Sequence, residues 1–174
     1  MKKYFFISLL AFSIVCCTSD RSKTLQFYKD YRTMNLMEKF KGIYISYTRG
    51  SYFIINKAYN TGWFQFHIKR VTENDVDIEY LDSKQRFDSL SILNKRDIKT
   101  EIEGVVKQFA RMNVSGIDGR FECCLDIEYT HYRRLFYMPS NSDCELGKKE
   151  RDRILNDPSA EILDNEWIYY EVKN

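Results

Sequence analysis

Cysteine, histidine and arginine are the residue types here whose chemistry goes beyond packing, and most of them gather in one stretch. Past residue 20 the chain holds three cysteines, Cys123, Cys124 and Cys144. In Phe121-Glu122-Cys123-Cys124-Leu125-Asp126-Ile127-Glu128-Tyr129, apolar and polar residues alternate with period two, as on a strand with one buried face. That phase sends Cys123 into the core with Phe121, Leu125 and Ile127. It turns Cys124 outward beside Asp126, where it can meet Cys144 in the polar loop Ser140-Asn141-Ser142-Asp143-Cys144. In an oxidising compartment the expected bridge is therefore Cys124–Cys144, whose loop would contribute about 3 kcal/mol by restricting the unfolded chain.

The next cluster is His131-Tyr132-Arg133-Arg134. Guanidinium forks match carboxylate and phosphate geometry, so Arg133 and Arg134 with His131 are candidates for gripping an acidic group. The plainer reading pairs the arginines across strands with Asp126 and Glu128, at little gain in stability. His67 alternates with Trp63, Gln65 and Lys69 on the more polar face of another strand. Because Tyr and Trp combine large apolar area with a polar tip, Trp63 and His67 mark the first face to suspect of partner binding.

Neither histidine stands at metal-ligand spacing with another His, Cys or carboxylate. The densest acid patch, Glu73, Asp75, Asp77 and Glu79, lacks the glycine and ligand pattern of a calcium loop. No serine elbow and no Gly-rich phosphate loop is present, so no catalytic residue, metal or cofactor is assigned, although catalytic groups that converge only in space stay open. Net charge is +2 over 174 residues, and Lys2 and Lys3 account for it. Basic and acidic residues interleave along the rest, without the basic stripe that phosphate backbones require, so nucleic acid is not an expected partner. With 13 Tyr, 12 Phe, 7 Gly and 2 Pro, the chain is an aromatic-rich globule and not a disordered tether.

The leader supplies the strongest functional signal. Met1-Lys2-Lys3 precedes an apolar run from Tyr4 to Val15, followed by Cys16-Cys17-Thr18-Ser19-Asp20. This is the layout of a secretory signal, and it is shorter than the about 20 apolar residues of a membrane span. It resembles the signal of bacterial lipoproteins, in which a cysteine at the cleavage site is acylated and becomes the new N-terminus. Cys17 fits that role best, with Ile14 and Val15 upstream and small Cys16 before it; Cys16 ranks second because Val15 is bulky for the cleavage position. The resemblance covers the leader alone. It implies a signal over 1–16, a short polar tether over 17–23, palmitate-type anchoring and a place in the cell envelope; the length of the rest, 24–174, fits one domain. Thr18, a non-acidic residue after the cysteine, would favour the outer membrane.

Around these residues the pattern predicts a helix from Ser22 to Phe40, broken near Thr33 and ended by Gly42. A hairpin follows at Arg49-Gly50, with strands over Trp63–Arg70 and Val76–Tyr80 and a further strand over Arg86–Leu93. Ile98, Ile102, Val105, Val106 and Phe109 share one helical face in Arg96–Met112, with Asn94 as its cap. After the Cys123 strand come a strand over Arg133–Met138, a short charged helix over Glu145–Leu155, a turn at Asp164-Asn165, and Trp167–Val172. That last segment is apolar on both faces, so it belongs inside a sheet. The expected fold is α+β: a mostly antiparallel sheet with a long helix packed on it and an N-terminal helix. The expected function is non-catalytic binding at the envelope, to a protein as an accessory or immunity-type factor. The alternative is an envelope enzyme or carrier acting on a glycan, peptide or lipid.

Overall fold

The computed structural model describes residues 21–57, 63–72, 75–80 and 92–173. They belong to two compact units, Met1–Met34 and Asn35–Asn174. In the first, residues 21–31 form helix α1. Side chains one turn apart support it: Phe27 stacks on Tyr31 with ring centres 4.5 Å apart, and the Gln26 amide donates to Asp30 at 2.8 Å.

The second unit opens with the short helix α2 (Leu36–Phe40), capped by Asn35, whose side chain accepts the Glu38 N–H. The break expected near Thr33 is thus present, between 31 and 36. Gly42, at φ 74°, then turns the chain into β1 (Ile43–Thr48). β1 runs into β2 (Ser51–Lys57) through Arg49 and Gly50, both at positive φ (53° and 85°), the paired left-handed conformation of a tight two-residue hairpin. β3 (Trp63–Val71) and β4 (Val76–Tyr80) extend the meander. The long helix α3 (Ile92–Met112) follows. The chain then returns as β5 (Gly116–Asp118), β6 (Leu125–Thr130) and β7 (Arg133–Tyr137). Helix α4 (Glu145–Leu155), β8 (Glu161–Ile162) and β9 (Trp167–Glu171) complete the unit.

The nine strands among the described residues join one antiparallel sheet in the order β4-β3-β2-β1-β5-β6-β7-β9-β8, so the fold is α+β as expected. Some elements differ from the expectation. Residues 92–94 are helical, so α3 starts ahead of Asn94, which is inside the helix and not its cap. Of the strand expected over Arg86–Leu93, residues 92 and 93 belong to α3 instead, and residues 86–91 lie outside the described residues. β5 was not anticipated, because its Gly116-Ile117-Asp118 reads as loop; it is held by pairing with β1 and β6 on either side.

One face of the sheet carries the main core. Ile43, Ile45, Ile54, Phe64, Phe66, Ile68, Ile117, Leu125, Ile127, Leu135 and Trp167 are buried and lie on this face by register. Helix α3 presents Ile98, Ile102, Val105, Val106 and Phe109 to it, and the Phe109 ring meets Tyr52 of β2 edge-on at 5.9 Å. At the centre Gly119 donates to the Ile43 carbonyl at 2.7 Å and accepts from Gly42 at 2.8 Å. A Cβ there would lie 2.1 Å from the Phe40 carbonyl oxygen, so only glycine lets α2 and β5 approach this closely.

The reverse face is not uniform. Across β6, β7 and β9 it forms a second core of Cys124, Phe136, Met138, Ile168 and Tyr170, with Ile154 of α4 laid over it. β9, buried at Trp167, Ile168, Tyr169 and Tyr170, is the doubly covered strand its composition predicts, placed between β7 and β8. Asp164 closes the β8–β9 turn by accepting the N–H groups of Glu166 and Trp167 at 2.8 and 2.9 Å.

Candidate functional site

The disulfide is Cys123–Cys144, with Cα atoms 6.1 Å apart, and Cys124 is free and buried. This corrects the Cys124–Cys144 expectation. The alternation does not run through Phe121–Cys124: residues 120–123 form a turn with Glu122 at φ 62°, and β6 begins only at Leu125. Cys124 does share the Asp126 side of the sheet, but that side is itself a core, so its thiol is packed among Phe136, Ile168 and Tyr170. Burial, with help from the Glu150 charge, pushes the thiol pKa up to about 11, which keeps it protonated and unreactive.

Arg134, Asp126 and Tyr170 are brought together by register. Arg134 of β7 stands opposite Glu128 of β6 on one side and Tyr170 of β9 on the other. Its guanidinium donates to Asp126 Oδ2 at 2.6 Å and reaches Glu128 Oε2 at 3.5 Å, and Tyr170 Oη donates to Asp126 Oδ1 at 2.8 Å. Burial pushes the Asp126 carboxyl above the usual carboxylate range despite the opposing pull of Arg134 and Tyr170. It pushes the Tyr170 hydroxyl far above the ordinary phenol value, and the Asp126 charge adds to that. Arg134 Nε is buried without a hydrogen-bond partner among the described residues.

Above this triad lies an open cleft of about 580 Å³, walled by Arg153 and Asn156 of the α4 end, Asp157 and Pro158 after it, and Lys173. Arg153 is paired with Glu150 at 2.9 and 2.5 Å, and Asp157 accepts the Ser159 N–H and hydroxyl at 2.8 and 2.7 Å. Those two bonds hold the Asp157 carboxyl below its ordinary value. A raised carboxyl in a cleft is the mark of a general acid. Both Asp126 oxygens are taken, however, one by Arg134 and one by Tyr170, so the group anchors three strands together.

The remaining candidates diverge. Arg133, adjacent to Arg134, points to the opposite face, where its Nε lies 3.4 Å from Glu171 Oε1 and Tyr169 Oη donates to the same oxygen at 2.6 Å. His131 is 89% exposed, 3.2 Å from Glu128. His131, Arg133 and Arg134 therefore do not share a pocket, and the cross-strand ion pairs expected for Arg134 are formed. His67 lies on the reverse face of β3, 3.3 Å from Glu79 Oε2 on β4, which Lys69 also reaches at 3.2 Å. Hydrogen bonds from His67 and then Lys69 draw the Glu79 carboxyl down. Trp63 pairs with Lys57 through the backbone at the start of β3. Cys17 lies outside the described residues.

The chain matches no known protein family, no curated protein and no solved structure. Among the described residues no group of His, Cys, Asp and Glu is gathered as metal ligands, and no helix is long and apolar enough to cross a membrane. Sequence reasoning missed Asp126 with Tyr170 as the centre of the polar network. The available signal was Asp126 on the Cys124 side of β6 together with a final strand apolar on both faces.

Proposed function

We propose that this is a lipid-anchored protein of the bacterial cell envelope, exported by its leader and held at the membrane through acylated Cys17, with a non-catalytic role in binding a protein partner. The observation that carries the reading is the Cys123–Cys144 disulfide standing behind an export-type leader, since such bonds persist in oxidising compartments and not in the cytosol. Outer-membrane placement rests on Thr18. The surface assigned to the partner is the reverse face of β1–β3. There Tyr44, Ser46, Phe53, Ile55, Gln65 and His67 are all half-buried, a mix of aromatic, aliphatic and polar groups on a rigid sheet.

The test is chemical crosslinking in intact cells with the anchored chain, a soluble form starting at Thr18, and a Gln65→Arg/His67→Glu variant whose circular dichroism matches the wild type. One dominant protein crosslinked by the wild type and lost in the variant supports the reading. An unchanged crosslink in the variant removes this face from it.

The cleft favours a second reading, a carrier or enzyme acting on a small glycan, peptide or lipid ligand. Its support is the volume of about 580 Å³ and the Arg153 and Lys173 cations at its rim. Saturable binding of a small ligand that is lost in Lys173→Glu, with no protein crosslink in either form, would favour it.

A further inference from the structure

Helix α4 is a cover with few fastenings. Its sequence, Glu145-Leu146-Gly147-Lys148-Lys149-Glu150-Arg151-Asp152-Arg153-Ile154-Leu155, buries only Gly147 and Ile154, while Leu146 and Leu155 are 59% and 37% exposed. Its side-chain bonds stay local: Lys148 reaches Asp143 at 3.7 Å and Arg153 holds Glu150. Among the described residues no side-chain hydrogen bond or ion pair ties α4 to the sheet it covers.

The two ends differ. Past the C-terminal end, Ser159 fixes the chain to β9 by accepting the Glu171 N–H at 2.9 Å, and Ile154 sits in the reverse-face core. At the N-terminal end the fastening is covalent. Cys144 is the N-cap of α4, its Sγ accepting the Gly147 N–H at 3.4 Å, and the same sulfur is bonded to Cys123 just before β6. A Cβ on Gly147 would lie 3.2 Å from Cys123 Sγ and 3.2 Å from Met138 Sδ, so this first turn seats directly on the bridge. Both bonded cysteines are half-buried, and Phe121 and Leu146, each two residues from one of them, are exposed. Beneath the helix lies the buried Cys124.

We infer that the Cys123–Cys144 bridge is a redox latch: a dithiol reductant that opens it frees the N-terminal end of α4 and exposes the reverse-face core together with Cys124. The exchange is the ordinary one. A thiolate of the dithiol attacks one sulfur of the bridge, forming a mixed disulfide and expelling the other cysteine as thiolate. The second sulfur of the dithiol then attacks the mixed disulfide and releases the remaining cysteine. Two electrons and two protons pass from the dithiol to Cys123 and Cys144, and the dithiol leaves oxidised. The strands β1–β4 are not covered by α4, so their pairing is unaffected.

The test uses the oxidised full-length chain with dithiothreitol as the dithiol, followed by hydrogen exchange of peptides and by alkylation of cysteines. On reduction, exchange across 145–155 is expected to rise at least tenfold while β1–β3 keep their rates, and Cys124 is expected to become alkylated. Cys144→Ser and Cys123→Ser should show the same pattern without reductant; where neither variant folds, the reduced wild type decides. Unchanged protection of α4 would overturn the inference. So would an equal rise in β1–β3, which would make the bridge a staple of the whole fold.

Discussion

The reverse face of the sheet presents similar groups at its two ends in different surroundings. On β3–β4, His67 and Lys69 meet Glu79 among exposed or half-exposed side chains, 32%, 53% and 47% exposed. On β6–β7–β9, Arg134 and Tyr170 meet Asp126 beside a packed core under α4. Water screens the first set, so its geometry adds little to stability. The second set is less exposed, Arg134 29% and Asp126 26%, so each group depends more on its partners and removal of one weakens the hydrogen bonding of the others. Burial decides what an ion pair contributes: both sets cross between strands, but only the second does so with less exposure to screening water.

The largest effect that can break this comparison is Arg134→Met. It leaves Asp126, about a quarter exposed, with Tyr170 alone and should cost about 1–2 kcal/mol in denaturant unfolding. A cost no larger than that of a surface change would place Asp126 in water and end the distinction. Next, Tyr170→Phe removes one donor and keeps the ring in the core, for about 1 kcal/mol by the same measurement.

A smaller effect is alkaline. Tyr170 and Cys124 both have folded pKa values raised by burial, so the folded chain keeps protons that the unfolded chain releases. Their contribution is complete below the unfolded values and is lost as pH rises through the folded ones. The melting temperature should therefore fall from about pH 9 upward. The fall should be shallower in Cys124→Ala/Tyr170→Phe; an identical slope would mean that neither group titrates from a buried site. The smallest effect is Glu79→Gln, expected to leave the unfolding midpoint unchanged at neutral pH. Because the Glu79 carboxyl is lowered, whatever it contributes is present above the usual carboxylate value and disappears as pH falls through the folded one.

Legibility in the sequence followed the same division. Where one face is wet and the other dry, as in Trp63–Val71, period two announces strand, phase and buried set together. The Arg49-Gly50 hairpin and the whole of α4 were equally readable, because turn chemistry and charge patterning are local. Where both faces are dry, alternation carries no sign of inside or outside. Cys124 reads as outward for that reason, and the left-handed Glu122, which shifts the phase at Cys123, has no signature in a non-glycine residue. β5 was invisible because three residues hold their place only through neighbours distant in sequence. The Asp126–Arg134–Tyr170 triad spans 44 residues between Asp126 and Tyr170 and needed the strand order to be seen.

The most direct measurement on the central claim is mass spectrometry of the protein isolated without reductant from its own membrane fraction and digested with trypsin. The account predicts an N-terminal peptide that begins at acylated Cys17, and a disulfide joining the peptide after Arg120 to the peptide after Arg134, with fragmentation placing the bond on Cys123. An unacylated chain still beginning at Met1, with Cys123 and Cys144 as free thiols, would contradict it.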